Sequence, residues 1–148
     1  MMPLLLTAAL AAANLQARST MEHDLIRFQA LSLIESGDDD RKVGTHGEVS
    51  RFQILPREWA LQTDRPISLA HHSDFSFGVA VEIMRSREAR FRQLWAREPS
   101  DREWALLWHC PRHAFAAATQ KHRLNREQLD YIDRFANTVE SLVSRTGK

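Results

Sequence analysis

The chain has 148 residues, with 20 basic against 19 acidic residues and a formal net charge of +1. That length suits one domain with a sizeable core. Basic and acidic residues are interspersed, so no basic stripe argues for nucleic acid, and the single cysteine, Cys110, leaves no internal disulfide framework.

Residues Met1 to Ala17 differ from everything after them. Pro3 to Ala13 is an uncharged Leu/Ala run followed by small residues, with Ala11-Ala12-Ala13 and Leu15-Gln16-Ala17 as candidate cleavage sites. This reads as a secretory signal peptide, although it lacks the usual Lys or Arg near its start. Removal would start the mature chain between Asn14 and Ser19 and leave 18–148 as the folded domain. The run is too short for a membrane span, and no cysteine follows it to carry a lipid anchor. The alternative is a mature N-terminal helix in the cytosol.

After this segment, Ser19 and Glu22 have capping-box spacing, which predicts a helix from about Thr20. Ile26, Ala30, Leu33 and Ile34 supply its buried face. Phe28, Leu31 and Glu35 form a stripe one turn apart, which places a carboxyl at the end of an apolar face. Desolvation there disfavours the charged form, so Glu35 is expected to stay protonated near neutral pH, as a general acid must. Gly37 can take the left-handed conformation that ends a helix. Asp38 to Gly47 is a polar loop whose three consecutive acids, followed by Arg41 and Lys42, read as a solvated turn without chemistry.

Ser50 to Leu55 reads as a short extended piece, and Pro56 suits the first turn of a helix through Trp59. Thr63 to Ser73 is irregular. Asp74 can cap a long helix over Phe75 to Arg97, carrying Val79, Ile83, Phe91, Leu94 and Trp95, with Pro99 ending it. Ser100 and Glu103 form a second capping box, opening a helix with Trp104, Leu107 and Trp108. Pro111 breaks the pattern, and a helix through Phe115 to Gln120 follows from the alanines. Asn125 and Gln128 mark the start of a last helix with Leu129, Ile132, Ala136, Val139 and Val143 on one face. The reading is mainly α, with at most a small β element.

Other constellations carry less. His109, Cys110 and His113 are interrupted by Pro111, His71 and His72 are adjacent and point apart, and no Cys-x-x-Cys or His-Glu-x-x-His spacing exists. No metal site is expected, and nothing near Cys110 suggests an activated thiol.

The ordered set Glu35-Ser36-Gly37, a loop with Gly44 and Gly47, then Phe52-Gln53-Ile54-Leu55-Pro56-Arg57-Glu58-Trp59 resembles the catalytic core of lytic transglycosylases with the lysozyme-like fold, a group related to goose-type lysozymes. That family reads Glu-Ser-Gly, a Gly-rich loop, then Gln-Ile-x-Pro-x-x-Trp. Leu106-Leu107-Trp108-His109-Cys110-Pro111 occupies the place of the family's Ala-Tyr-Asn-x-Gly segment; the aromatic is kept as Trp108, whereas His109 replaces the asparagine and Pro111 the glycine. Tyr131 resembles the tyrosine that approaches the catalytic Glu from the last helix.

The resemblance implies a compact lysozyme-like helical domain that cleaves the β-1,4 bond between N-acetylmuramic acid and N-acetylglucosamine in peptidoglycan. It implies Glu35 as the one catalytic acid and base, a 1,6-anhydro product, no cofactor or metal, and action outside the cytoplasm, in the periplasm or extracellular space. Expected substrate contacts are Ser36, which would either hold the loop or touch substrate; Gln53, whose amide can donate and accept; Phe52, either a sugar-stacking face or core; and Trp108, His109 and Tyr131. The expected partner is the peptidoglycan glycan strand, with no nucleic acid and no stable membrane span. Two other readings stay open. One is a lysozyme-type hydrolase in which Asp38, Asp39, Asp40 or Glu48 positions water. The other is a non-catalytic glycan-binding or structural protein with the same fold.

Overall fold

A computed structural model describes residues 3–116 and 123–146, with backbone alone for 3–8 and 11. From Leu4 to Ser36 there is no proline or glycine, and alanine and leucine dominate the first half, so nothing opposes helix formation. The result is one helix, α1 (Pro3–Ser36), of 34 residues and about 50 Å. The capping box expected at Ser19 and Glu22 does not form, because the helix runs straight through it; Thr20 Oγ1 instead donates to the Gln16 carbonyl at 3.0 Å. The described side chains from Ala9 to Glu22 are exposed, so this stretch is an arm. Tertiary anchoring begins at His23 and Arg27, whose side chains reach Asp101 at 2.9 and 2.8 Å.

Beyond that point α1 enters the core. Phe28, Ala30 and Leu31 are buried as the periodicity predicts, while Leu33, expected on the same face, is exposed. It lies almost opposite Leu31 on a helical wheel at about 100° per residue, where no other element covers it. A loop follows, then α2 (Pro56–Gln62), a 3-10 turn at Ile67–His71 and α3 (Ser73–Trp95). Pro56 starts α2 as expected, and buried Trp59 donates from Nε1 to the Arg65 carbonyl at 2.8 Å, tying the helix to the irregular segment. α3 starts one residue before the expected cap, so Asp74 lies in its first turn and makes no side-chain cap. It ends at Trp95 because Ala96 turns left-handed, with φ 53°, before Pro99 is reached.

α4 (Asp101–His109) opens on the Ser100–Glu103 capping box, with both reciprocal bonds formed. Pro111, expected to break the pattern, serves as the first residue of α5 (Pro111–Ala116). The expected extension to Gln120 lies outside the described residues. α6 (Arg126–Thr146) opens on reciprocal bonds between Asn125 and Gln128, at 2.8 and 3.0 Å. Its buried stripe is Gln128, Tyr131, Ile132, Phe135 and Val139, so Leu129 and Val143 are exposed rather than inward. The two aromatics set that rotation, since they bury the largest apolar area.

The core is joined by rings. Phe28 meets Trp104 edge-on at 5.2 Å and Phe77 at 5.3 Å, and Trp104 stacks on Phe135 at 5.3 Å. α1, α3, α4 and α6 are thereby locked around one centre. The protein is mainly α, and the β structure among the described residues is two isolated bridges, Val43–Val49 and Val49–Ile54. No helix among the described residues is long and apolar enough to cross a membrane.

Candidate active site

Glu35 sits on the last turn of α1, where the chain reverses through Gly37 and Asp38, with φ 69° and 66°. The reversal is closed by Gly37 N–H donating to Leu33 O at 3.0 Å and Asp38 N–H to Ser32 O at 3.2 Å, a glycine-based helix stop. The turn beyond it is solvated as expected, with Asp38, Asp39, Arg41 and Lys42 exposed, and its acids also brace the loop. Asp40 accepts both arms of the Arg51 guanidinium at 2.6 and 2.8 Å. Asp38 bonds Ser32 Oγ, and its carboxylate is 3.8 Å from Arg51. Ser36 Oγ donates to Arg51 O at 2.9 Å and accepts from Asp39 N–H at 3.0 Å, so it holds the loop.

Ser50 to Gln53 is a tight turn rather than an extended piece, with φ 71° at Ser50 and 51° at Gln53. Val49 and Ile54 exchange two backbone bonds of 2.9 Å across it. This turn sends Phe52 inward, where it is 3% exposed and meets Phe28 at 6.2 Å. Phe52 is therefore core and offers no face to a sugar. Gln53 lines the cleft, but its Nε2 donates to Ser50 O at 2.9 Å and Lys42 O at 3.2 Å. Its donor side holds the loop, and its oxygen is the group left for a ligand. A Cβ at Gly44 would meet the Glu48 carboxylate and lie 2.8 Å from Gln53 Oε1, so a larger residue there would push these two cleft side chains aside.

The opposite wall comes from α4 and α6. Tyr131 hydroxyl donates to Glu35 Oε1 at 2.5 Å, and the His109 ring stacks on Tyr131 at 4.0 Å and 15°. Glu35, Gly44, Thr45, Glu48, Gln53, Leu55, Trp108 and His109 enclose a cavity of about 330 Å³. A second chamber of about 160 Å³ continues it, sharing Gln53, Leu55, Trp108 and His109 and adding Glu58 and Arg87. The two form a groove with Glu35 at its wider part.

Electrostatics separates the two glutamates of the wider chamber. Burial raises the Glu35 pKa, an effect that outweighs the Tyr131 hydrogen bond and the charge of Arg134; the Glu48 charge adds to the rise. Glu48 is held below its ordinary value by its own backbone N–H and that of His46, against some burial. A carboxyl pushed toward its protonated form and one held toward its ionised form thus face one cavity. Tyr131 is pushed well above the ordinary phenol range by burial and by Glu35, so it remains a hydrogen-bond donor. His109 is exposed to the cleft on one side, while burial on the Tyr131 side lowers its pKa and keeps the ring neutral.

Of the expected site residues, the structure brings Glu35, Gln53, Trp108, His109 and Tyr131 together, and puts Ser36 and Phe52 behind them. Thr45, Leu55, Glu58 and Arg87 are further groove residues that periodicity and motif spacing do not reveal. Among the described residues no group of three metal-ligating side chains exists. Burial raises the Cys110 thiol, which meets Gln128 Nε2 at 3.5 Å, so it is a poor nucleophile. Comparison with protein-family models, with curated proteins and with solved structures finds no match to this chain.

Proposed function

We propose that this chain cleaves the glycan strands of peptidoglycan as a lytic transglycosylase, with Glu35 as both general acid and general base. One observation carries the reading: a desolvated carboxyl at the wall of an open groove, oriented by a 2.5 Å hydrogen bond from Tyr131. Tyr131 occupies Oε1 and leaves Oε2 to deliver its proton to the glycosidic oxygen between N-acetylmuramic acid and N-acetylglucosamine. The C1–O bond breaks as that proton arrives, and the substrate's acetamido oxygen supports the charge at C1. The Glu35 carboxylate then takes the proton of the muramic acid 6-hydroxyl as O6 bonds to C1, giving the 1,6-anhydro end. No water is consumed and the acid is restored. Proton transfer from a positioned carboxyl needs neither cofactor nor metal. A peptidoglycan substrate requires export, for which the apolar Pro3 to Ala13 run is the candidate signal.

Glu48 supports a second reading. Of the four candidate acids for activating water, it alone lines the cavity with Glu35, and it is the one held ionised there by backbone N–H groups. In a lysozyme-type hydrolase it would activate that water, giving a reducing end. Mass spectrometry of the products from purified peptidoglycan decides between them. Anhydro-muramyl ends support the transglycosylase, reducing ends support the Glu48 hydrolase, and no cleavage by the folded protein removes both.

A further inference from the structure

Pro111 creates a defect at the end of α4. In a helix the Leu107 carbonyl accepts from the N–H of residue 111, but proline has none. The Trp108 carbonyl likewise lies in the last turn, where acceptors lack intrahelical partners. Arg87, on α3, fills both places: its Nη1 donates to Leu107 O and to Trp108 O, each at 3.0 Å. Its Nη2 is fixed by Glu58 Oε2 of α2 at 2.7 Å, and its guanidinium lies 5.8 Å from the centre of the Trp108 ring. The pair is largely withdrawn from solvent, with side chains 15% and 28% exposed. Burial disfavours the Arg87 charge and Glu58 opposes that effect, so the ion is retained where a lone buried charge would be costly.

We propose that Arg87, anchored by Glu58, is the positioning residue of the groove wall, acting through Trp108 on Glu35. Trp108 and His109 line both chambers of the groove, and Trp108 shares the wider chamber with the Glu35 carboxyl. The planar fork of Arg87 therefore ties α2, through Glu58, to the end of α4, through two carbonyls, and lies beside the indole that walls the cavity holding the Glu35 carboxyl. A lysine keeps the charge but cannot bridge two carbonyls and a carboxylate in that geometry. The catalytic consequence rests on the reading of Glu35 as the acid; the positioning of Trp108 does not.

The test uses Arg87→Lys, with the exposed Arg85→Lys on the same helix as control. The Trp108 indole N–H resonance, identified by its loss in Trp108→Phe, is followed through a pH titration. In the unchanged protein it should move as Glu35 ionises, and the movement should vanish in Glu35→Gln. In Arg87→Lys that step should shrink or shift its midpoint, and the cleavage rate on purified peptidoglycan should fall roughly ten- to a hundredfold, as expected for a misplaced wall. Arg85→Lys should leave both unchanged. An unaltered Trp108 titration in folded Arg87→Lys overturns the proposal, whether cleavage is kept or lost, since loss alone would mean that Arg87 acts directly on substrate. If Arg87→Lys does not fold, Glu58→Gln takes its place, with a smaller change of the same kind expected and an unaltered titration again overturning the idea. If the unchanged protein cleaves no peptidoglycan, the transglycosylase reading fails while the titration still decides the role of Arg87.

Discussion

The Glu35 carboxyl holds two opposed influences in balance: burial, which keeps its proton on, and Tyr131, whose hydrogen bond favours the carboxylate. Glu35→Gln keeps the shape and the Tyr131 contact but removes the proton, so cleavage should fall by at least about 10²–10⁴-fold with helicity unchanged. Circular dichroism and a turbidity assay on cell-wall sacculi check the pair of outcomes. Tyr131→Phe separates the two influences. Without the phenol bond the Glu35 pKa should rise further, so the alkaline limb of kcat/KM should move to higher pH while the rate falls. A limb that stays in place would show that the bond does not tune the acid. There is also a stability counterpart. A carboxyl whose folded pKa is raised contributes stability that is fully present below its unfolded pKa and is lost as pH rises through the folded value. Denaturant midpoints should therefore show Glu35→Gln gaining on the unchanged protein from pH 4 to pH 8. At this scale the acid itself is legible from sequence, because one-turn spacing from Phe28 and Leu31 decides its environment. Phe52 is not: which way it points depends on positive φ at Ser50 and Gln53, neither of which is a glycine.

Individual elements are legible where their end signals are chemical. The Ser100–Glu103 and Asn125–Gln128 boxes both form, since each satisfies otherwise orphaned N–H groups at a true helix start. The Ser19–Glu22 pair has the same spacing and does not cap, because the residues before it are also helix formers and leave no N–H groups to satisfy. The α6 stripe is offset for a different reason. Aliphatic spacing alone points to Leu129 and Val143, but the space beside Trp104 and Glu35 is filled by Phe135 and Tyr131. The α4 cap has a consequence for the groove, since Trp108 and His109 end that helix. Ser100→Ala should cost about 1 kcal/mol of stability, read as a lower denaturant midpoint with unchanged slope. Glu103 belongs to the same cap, its pKa pulled down to about 2, first by the Arg97 hydrogen bonds and then by those of Ser100. Its contribution is fully present above the unfolded carboxylate pKa and is lost as pH falls below that value toward about 2.

At the scale of the whole molecule, the chain divides into an arm and a body, and the division falls inside α1. Trp104 is the body's centre, 1% exposed and in ring contact with Phe28 and Phe135, so Trp104→Ala should cost roughly 3–5 kcal/mol. The arm should cost almost nothing to remove. Its described side chains from Ala9 to Glu22 are exposed, Leu10 and Leu15 at 65% and 71%, and the first bonds to another element come at His23 and Arg27. A chain starting at Ser19 keeps those anchors and the whole aromatic centre. It should melt within about 3 °C of the full chain, because deleting solvated helix removes little buried area. It should also be less prone to associate, since exposed Leu10 and Leu15 are lost. Export would cut within the arm, between Asn14 and Ser19, so N-terminal sequencing of the protein from its native host should find the part before the cut gone. An intact Met1 there would reject export by this signal, and a large drop in melting temperature on truncation would mean that the arm packs on the body.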